Sequence, residues 1–351
     1  MVRKVLFVGL GSAGQRHLRN LLKLSGKDIE ISAYRSRKNE RVFSPDMKII
    51  ENETLAGKYG IREFYDYEKA LDERPDVVVI ANPNSMHVPY ALTAAQRGID
   101  LFIEKPLSTS LERTKELAEI VEEKKIICQV GFQYRYHPCV RLMKEYLDKG
   151  KVGQPVLIHA EVGERISRMH SYEDYRNMLE AHKHLGGGVV LCQVHELDYL
   201  SWVLGEPESL YSIGGSKGGF EMNVEDTATT ILRYKRECSE FAVMIHQDFI
   251  QYPPVRRCKR VGADGRMEAD LFAHSFVYED YKTEKSFKKV FNNLDRNDMF
   301  LAELKDFLEC VESRKRPVCD VYSALTSTKI GLAIRKSFEE KREIGISEFC
   351  N

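Results

Sequence analysis

Nowhere does the sequence hold an apolar run approaching the ~20 residues that cross a bilayer, which excludes a helical membrane span. Charge of one sign is lacking too. Lys plus Arg and Asp plus Glu number 53 each, so no bulk field draws the chain to nucleic acid or a membrane surface, and a charged ligand must be met by local residues. The eight cysteines are scattered without a CxxC pair or regular spacing, which points to reduced thiols and not to a disulfide framework. No metal-ligand spacing occurs; His182 and His184 stand two apart without matching cysteine or carboxylate partners. Repeats and low-complexity tracts are absent as well. At 351 residues the chain exceeds the ~250 to 300 at which single cores stop growing, so two domains are expected, 1–128 and 129–351. The expected setting is cytoplasmic, with no nucleic-acid, membrane or metal partner.

What is present is concentrated first between Lys4 and Lys23. Val5, Leu6, Phe7 and Val8 predict a buried strand, Gly9, Gly11 and Gly14 follow in GxGxxG spacing, and Leu18, Leu21 and Leu22 mark an amphipathic helix. Gly9 permits a tight turn, Gly11 leaves room for phosphates, and Gly14 lets the helix pack closely on the strand. Ser12 and Ala13 lie in the same turn, where unpaired N–H groups and the positive helix end face an anion. Arg3 and Lys4 before the apolar run give the start a likeness to a secretory signal, but cleavage would delete this fingerprint, so the strand reading stands. A dinucleotide site is expected here. About 20 residues past Gly14, where an acidic residue would take the ribose of NAD, stands Tyr34, followed by Arg35, Ser36, Arg37 and Lys38. Guanidinium groups there suit a 2′-phosphate, which leans the expected cofactor from NAD to NADP. A solvated basic loop is the other reading.

The next segments repeat a β-α-β rhythm: a helix over 66–74, a strand Val77–Ile80 running into Asn82-Pro83-Asn84, a helix Pro89–Arg97, and a strand Leu101–Ile103 with Glu104-Lys105-Pro106 at its carboxyl end. A helix Leu111–Lys124 and the strand IICQVGF follow. Such strands are apolar on both faces and predict a parallel sheet covered by helices, with ligands at the carboxyl ends. After about residue 130 the rhythm changes. A helix over 140–150, the alternating strand VLIHAEV, a polar and aromatic segment 163–188, and a helix Val189–Leu204 precede strands at 210–214, 227–234, 240–249, 255–261 and 266–278. Helices at 297–313 and 321–340 close the chain. The expected fold class is α/β: an N-terminal Rossmann domain plus a C-terminal α/β domain with a large, mostly antiparallel open sheet.

The order and spacing of VGLGSAGQRH, ANPNSMH (81–87), EKP (104–106), GFQYRYHP (131–138), GGGVVLCQVHELDYLSWVLG (186–205) and the closing DMFLAELKDFL resemble, over nearly the whole length, the glucose-fructose oxidoreductase / inositol dehydrogenase / rhizopine catabolism (Gfo/Idh/MocA) family. The resemblance implies that Lys105 reaches both cofactor and reacting oxygen, that its bond to Pro106 is cis, and that His195 acts beside it. It also implies a homodimer or homotetramer joined through the C-terminal sheet. The family usually has aspartate three or four residues before the histidine; here the residue three before is Cys192. Within the family the chain looks most like members acting on sugars or sugar nucleotides in surface-polysaccharide pathways, through Tyr175-Arg176, the GGG helix and HELDYL.

Moving a hydride between a carbinol and nicotinamide requires proton transfer at the same oxygen, and Lys105 and His195 are the candidates. The positive ring of an oxidised cofactor disfavours an ammonium beside it, which eases a lysine's service as base; histidine titrates near neutrality. Helical spacing predicts Cys192, His195 and Tyr199 on one stripe, with Asp198 three residues past His195. A carboxylate at 192 would hold an imidazolium and a thiol does not, so His195 is expected to be less basic than in relatives and Lys105 to carry more of the proton transfer. The expected cofactor set is Gly9, Gly11, Ser12, Ala13, Gly14, Arg35, Ser36, Arg37, Asn82, Pro83, Asn84, His87, Glu104 and Lys105. The expected substrate set is Arg135, Tyr175, Arg176, Lys183, Cys192 and His195. His87 equally suits helix entry, Arg135 and His137 suit the substrate cleft although their neighbours Tyr134, Tyr136 and Pro138 equally suit packing between domains, and the 165–183 bases equally suit a solvated loop. The expected activity is NAD(P)-dependent oxidoreduction at a hydroxyl or keto carbon of a sugar or sugar nucleotide. Two alternatives stand beside it: elimination or glycoside cleavage that regenerates the cofactor, and a catalytically silent NADP-binding regulator.

Overall fold

Strand β1 (Lys4–Val8) is apolar from Val5 onward because it feeds two cores: Leu6 and Val8 enter one, Val5 and Phe7 the other. In the computed structural model, which describes residues 2–26, 28–36, 41–170, 172–236 and 239–349, the first part of the chain runs as α1 (Ser12–Ser25), β2 (Glu30–Tyr34), the small ribbon β3 (Val42–Phe43) and β4 (Ile49–Ile50), α2 (Leu55–Tyr59), β5 (Arg62–Phe64) and α3 (Tyr67–Asp72). It continues as β6 (Val77–Ile80), α4 (His87–Gln96), β7 (Asp100–Glu104), α5 (Thr114–Glu123) and β8 (Cys128–Gly131). Six strands form one sheet in the order β5-β2-β1-β6-β7-β8, every pairing parallel. The chain leaves β1 toward β2 on one side, while β6 lies on the other. Their carboxyl ends therefore flank the crevice in which open α/β sheets bind ligands. The three-residue strand β5, only partly buried, is too short to show alternation and was not expected.

The second part comprises α6 (Pro138–Asp148), β9 (Pro155–Gly163), α7 (Val189–Cys192), α8 (His195–Leu204), β10 (Ser209–Gly215), β11 (Thr227–Arg236), β12 (Ser239–Asp248), β13 (Val255–Gly262), β14 (Gly265–Asp270), β15 (Ser275–Asp280) and β16 (Ser286–Val290). It ends with α9 (Arg296–Ser313), α10 (Val321–Glu340) and β17 (Ile344–Gly345). Its nine-stranded sheet, β16-β15-β14-β13-β9-β12-β11-β10-β17, is antiparallel except where β9 meets β12. One face packs on helices. On the other, Tyr211 of β10 stands opposite Ile231 of β11, and both are exposed, as is Ile213. Among the described residues no helix is long and apolar enough to cross a membrane.

Three details depart from the expected elements. The single strand over 266–278 is two strands, because the Asp270 carboxylate accepts from the backbone N–H of Phe272 and Ala273 and turns the chain, with His274 left-handed at φ 50°. The helix expected over 189–204 breaks after Cys192. Buried Gln247 donates its side-chain amide to the carbonyls of Val190 and Gln193, acceptors that a continuous helix would give to residues 194 and 197. Cys192 and His195 therefore belong to different helices, not to one stripe. Finally, α9 returns to the first part: Leu304 and Phe307 share a core with Val5, Phe7, Leu18 and Phe102, the Phe307 and Phe102 rings 5.5 Å apart.

Candidate active site

The glycine turn is shaped by its neighbours. Gly9 has φ 93°, and a Cβ there would lie 2.7 Å from Ala81 O and Asn82 N, where the chain leaves β6. A Cβ on Gly14 would lie 2.3 Å from Gly9 O, whereas one on Gly11 would meet nothing within 4 Å. Helix α1 starts with no side-chain cap and no acidic residue in its first turn, so its leading N–H groups are left to an anion. Nearby, the Asn82 side-chain oxygen is buried without a hydrogen-bond partner. Open space at Gly11, uncommitted helix donors and an orphaned acceptor fit a dinucleotide.

A cleft of about 520 Å3 runs from this turn along the strand ends. Of the expected residues, Gly9, Gly11, Ser12, Ala13, Arg35, Ser36, Asn82, Pro83, Asn84, Glu104, Lys105 and Cys192 line it. Gly14 supports it from behind. Arg35, expected to meet a 2′-phosphate, is held 2.7 Å from the Glu63 carboxylate of β5, with its side chain largely buried. Arg37 lies outside the described residues.

At the carboxyl end of β7 the Lys105–Pro106 bond is cis, as the resemblance implies. The Lys105 ammonium donates to the Cys192 carbonyl at 2.9 Å, at the point where the broken helix ends. Glu104 is buried with one carboxylate oxygen 2.5 Å from His17 Nε2 and the other accepting from the Lys105 N–H. Burial pushes this carboxyl up, but the His17 bond and the charges of His17, Lys105 and His87 outweigh it and hold the group below the usual carboxylate range. His87 Nδ1 is 2.8 Å from Pro106 O and its Nε2 3.0 Å from Asn82 O, so it braces the two cleft turns from behind, and burial keeps its basicity low.

His195 is not in the cleft lining. Its ring packs 4.8 Å from Tyr134 and lies edge-on to Phe132, with Nε2 3.3 Å from Gln133 Nε2. Burial first, then the positive charges of Lys105, Arg256 and Arg296, push its pKa well below the ordinary histidine value. The imidazole is neutral.

Four members of the expected substrate set lie elsewhere. Arg135 is buried, with Nε and Nη2 on the two Asp198 oxygens at 2.8 and 2.7 Å and Nη1 on Val318 O. Burial works against this charge and Asp198 more than offsets it, which makes Arg135 an internal strut. Arg176 pairs with Asp174 and Glu221 at the surface, Tyr175 accepts from Glu221 N and packs on Phe220, and Lys183 is exposed. The cause is local: successive 3₁₀ turns at Tyr175–Asn177, Leu179–Ala181 and Lys183–Leu185 turn residues 178–180 toward the cleft and 175, 176 and 183 away. His137 is a packing residue too. Its Nδ1 accepts from Cys139 N as the cap of α6, and burial, then His274, bring its pKa down to about 4.

Sequence reasoning missed His17, Glu63 and Tyr90 as parts of this site, and misplaced the segment that closes it. Tyr172 and Glu173 reach across the mouth to Phe43, ring to ring at 4.8 Å, and to Arg41 at 3.6 Å. Only His17 left a readable signal, standing one helical turn past Gly14.

Known proteins share this arrangement. Residues 3–132 match the oxidoreductase family with an NAD-binding Rossmann fold, and residues 140–268 match the GFO/IDH/MocA C-terminal domain. The chain belongs to the Gfo/Idh/MocA family. Within it, the scyllo-inositol 2-dehydrogenase (NAD(+)) of Bacillus subtilis (strain 168) is 27% identical over 337 residues, 94% of this chain and 92% of its own. The D-xylose 1-dehydrogenase [NADP(+)] of Haloarcula marismortui is 30% identical over 116 residues, 33% of this chain and 32% of its own. The crystal structure of myo-inositol 2-dehydrogenase from Lactobacillus plantarum has the same fold, with a TM-score of 0.78 at 19% identity over 98% of this chain and 99% of that one. This Gfo/Idh/MocA chain is thus an enzyme, a nicotinamide-dependent oxidoreductase of CH–OH groups.

Proposed function

We propose that the enzyme moves a hydride between nicotinamide and a hydroxyl or keto carbon of a sugar or polyol. The observation that carries this is Lys105, an ammonium group lining the same cleft as the glycine turn and aimed by the Cys192 carbonyl. When bound, the nicotinamide supplies the hydride acceptor or donor. As the neutral amine Lys105 takes the hydroxyl proton during oxidation, and the ammonium so formed returns it during reduction. Glu104, kept a carboxylate by His17, balances the lysine's charge from below. His195, neutral and outside the lining, offers a hydrogen bond without a charge. The narrower sugar-nucleotide substrate draws on Tyr175, Arg176 and Lys183, which face away from the cleft, and an unlinked sugar or cyclic polyol fits better. Nicotinamide absorbance with mass-spectrometric product detection, over a panel of sugars, cyclic polyols and sugar nucleotides, tests the reading. Equal turnover of cofactor and substrate supports it; product without net cofactor change means a cofactor-recycling elimination. Saturable cofactor binding with no product from any compound would leave a regulator.

For the cofactor we propose NAD, because the guanidinium that would favour NADP is committed to Glu63. Glu63→Gln should release Arg35 and raise affinity for NADPH relative to NADH about tenfold, the scale of one charge-assisted hydrogen bond, in a fluorescence titration of both reduced dinucleotides. An unchanged ratio would place Arg35 outside the ribose site. We also propose that a second copy covers the exposed sheet face around Tyr211, Ile213 and Ile231; a monomer mass by sedimentation at micromolar concentration would exclude it.

A further inference from the structure

Glu180 lines the cleft together with Lys105 and Cys192. Among the described residues its carboxylate takes part in no hydrogen bond or ion pair. Its backbone, by contrast, is firmly seated. Met178 and Ala181 on either side are buried, and the Glu180 carbonyl accepts from Gly188 N at 2.9 Å. A Cβ on Gly187 would lie 2.4 Å from Leu179 O and 2.6 Å from Glu180 O. The glycine run before α7 thus lets the 179–180 backbone lie directly against the start of the helix that ends at Cys192. The consequence is visible at that thiol, which burial and then the Glu180 charge push up.

The other charges of the lining are spoken for. Arg35 pairs with Glu63, Arg41 with Glu173 and Glu104 with His17, which leaves Lys105 and Glu180 as the charges of this lining that, among the described residues, form no ion pair. A carboxylate has two acceptor oxygens and no donor, so it suits adjacent ring hydroxyls, which donate to it in charge-assisted bonds. The same group repels a substrate carboxylate or phosphate.

We propose that Glu180 is a substrate-binding residue that accepts hydrogen bonds from hydroxyls beside the reacting carbon, and that it selects uncharged sugars and cyclic polyols over acidic ones. This rests on the dehydrogenase reading above and names the class of its substrate.

The test compares wild type, Glu180→Gln and Glu180→Asp on scyllo-inositol, myo-inositol, D-glucose and D-glucuronate, with NADH affinity titrated separately by fluorescence. Wild type should prefer the neutral compounds. Glu180→Gln should lower kcat/KM for them about tenfold or more, chiefly through KM, and narrow the gap to glucuronate. Glu180→Asp should restore part of the loss, and NADH affinity should stay within about twofold in both variants. An unchanged KM in Glu180→Gln would overturn the proposal. So would a parallel loss of NADH affinity, which would assign the carboxylate to the cofactor's amide. A wild-type preference for glucuronate would overturn it while leaving the dehydrogenase reading intact. Failure of wild type on the wider panel of sugars and sugar nucleotides would instead remove that reading, and this proposal with it.

Discussion

Lys105→Met should lower kcat by about 10²- to 10⁴-fold, the range lost with a positioned acid–base group. Methionine keeps an unbranched stem of similar reach, so the cleft wall should survive while the proton carrier does not. NADH titration on the same variant should still saturate, which separates lost chemistry from a lost site. His195→Ala should cost less, about tenfold, because the imidazole is neutral and stands outside the lining. Its removal takes away a hydrogen bond and some packing against Tyr134, not a charge. Near-normal turnover in Lys105→Met beside an inactive His195→Ala would reverse the two assignments.

Asp198→Ala should destabilise the fold by about 3 to 5 kcal/mol, since it strands the buried Arg135 guanidinium without its counter-charge. Urea unfolding can follow this through intrinsic fluorescence, because the chain's one tryptophan, Trp202, has the Arg135 guanidinium 5.3 Å from its ring. Replacing both partners together, Arg135→Met with Asp198→Leu, should recover most of the loss, as apolar groups of similar volume often replace a buried pair at little cost. Substrate KM in the folded double variant should match wild type. A small loss of stability with a large rise in KM would return Arg135 to the substrate.

The contrast between these two residues shows what the sequence made legible. Lys105 was readable because a strand end, a motif and a known family coincide within three residues. The glycine turn was readable for the same reason: strand, turn and helix obey local rules in one continuous stretch. Arg135 was misread because its role depends on Asp198 and on the Val318 carbonyl, neither of them near it in sequence. The helix break at Gln193 was hidden in the same way, since its cause is Gln247 on a distant strand. Tyr175, Arg176 and Lys183 had suitable chemistry, but three short turns decided which side chains face the cleft. Composition says nothing about that direction. Glu180 was passed over beside them, one carboxylate in a polar segment, until the glycines at 187 and 188 showed what they hold in place.

Helix α9 has a consequence for how the protein is made. Gly9 to Gly14 leave the ribosome long before Leu304 and Phe307, yet it is these two that close the apolar surface under that turn, with Phe7, Leu18 and Phe102. The nascent Rossmann part therefore waits, with part of its core uncovered, until α9 follows the strands β9 to β16. By the time the dinucleotide cradle is finished, the residues that put the cofactor to use are already in place.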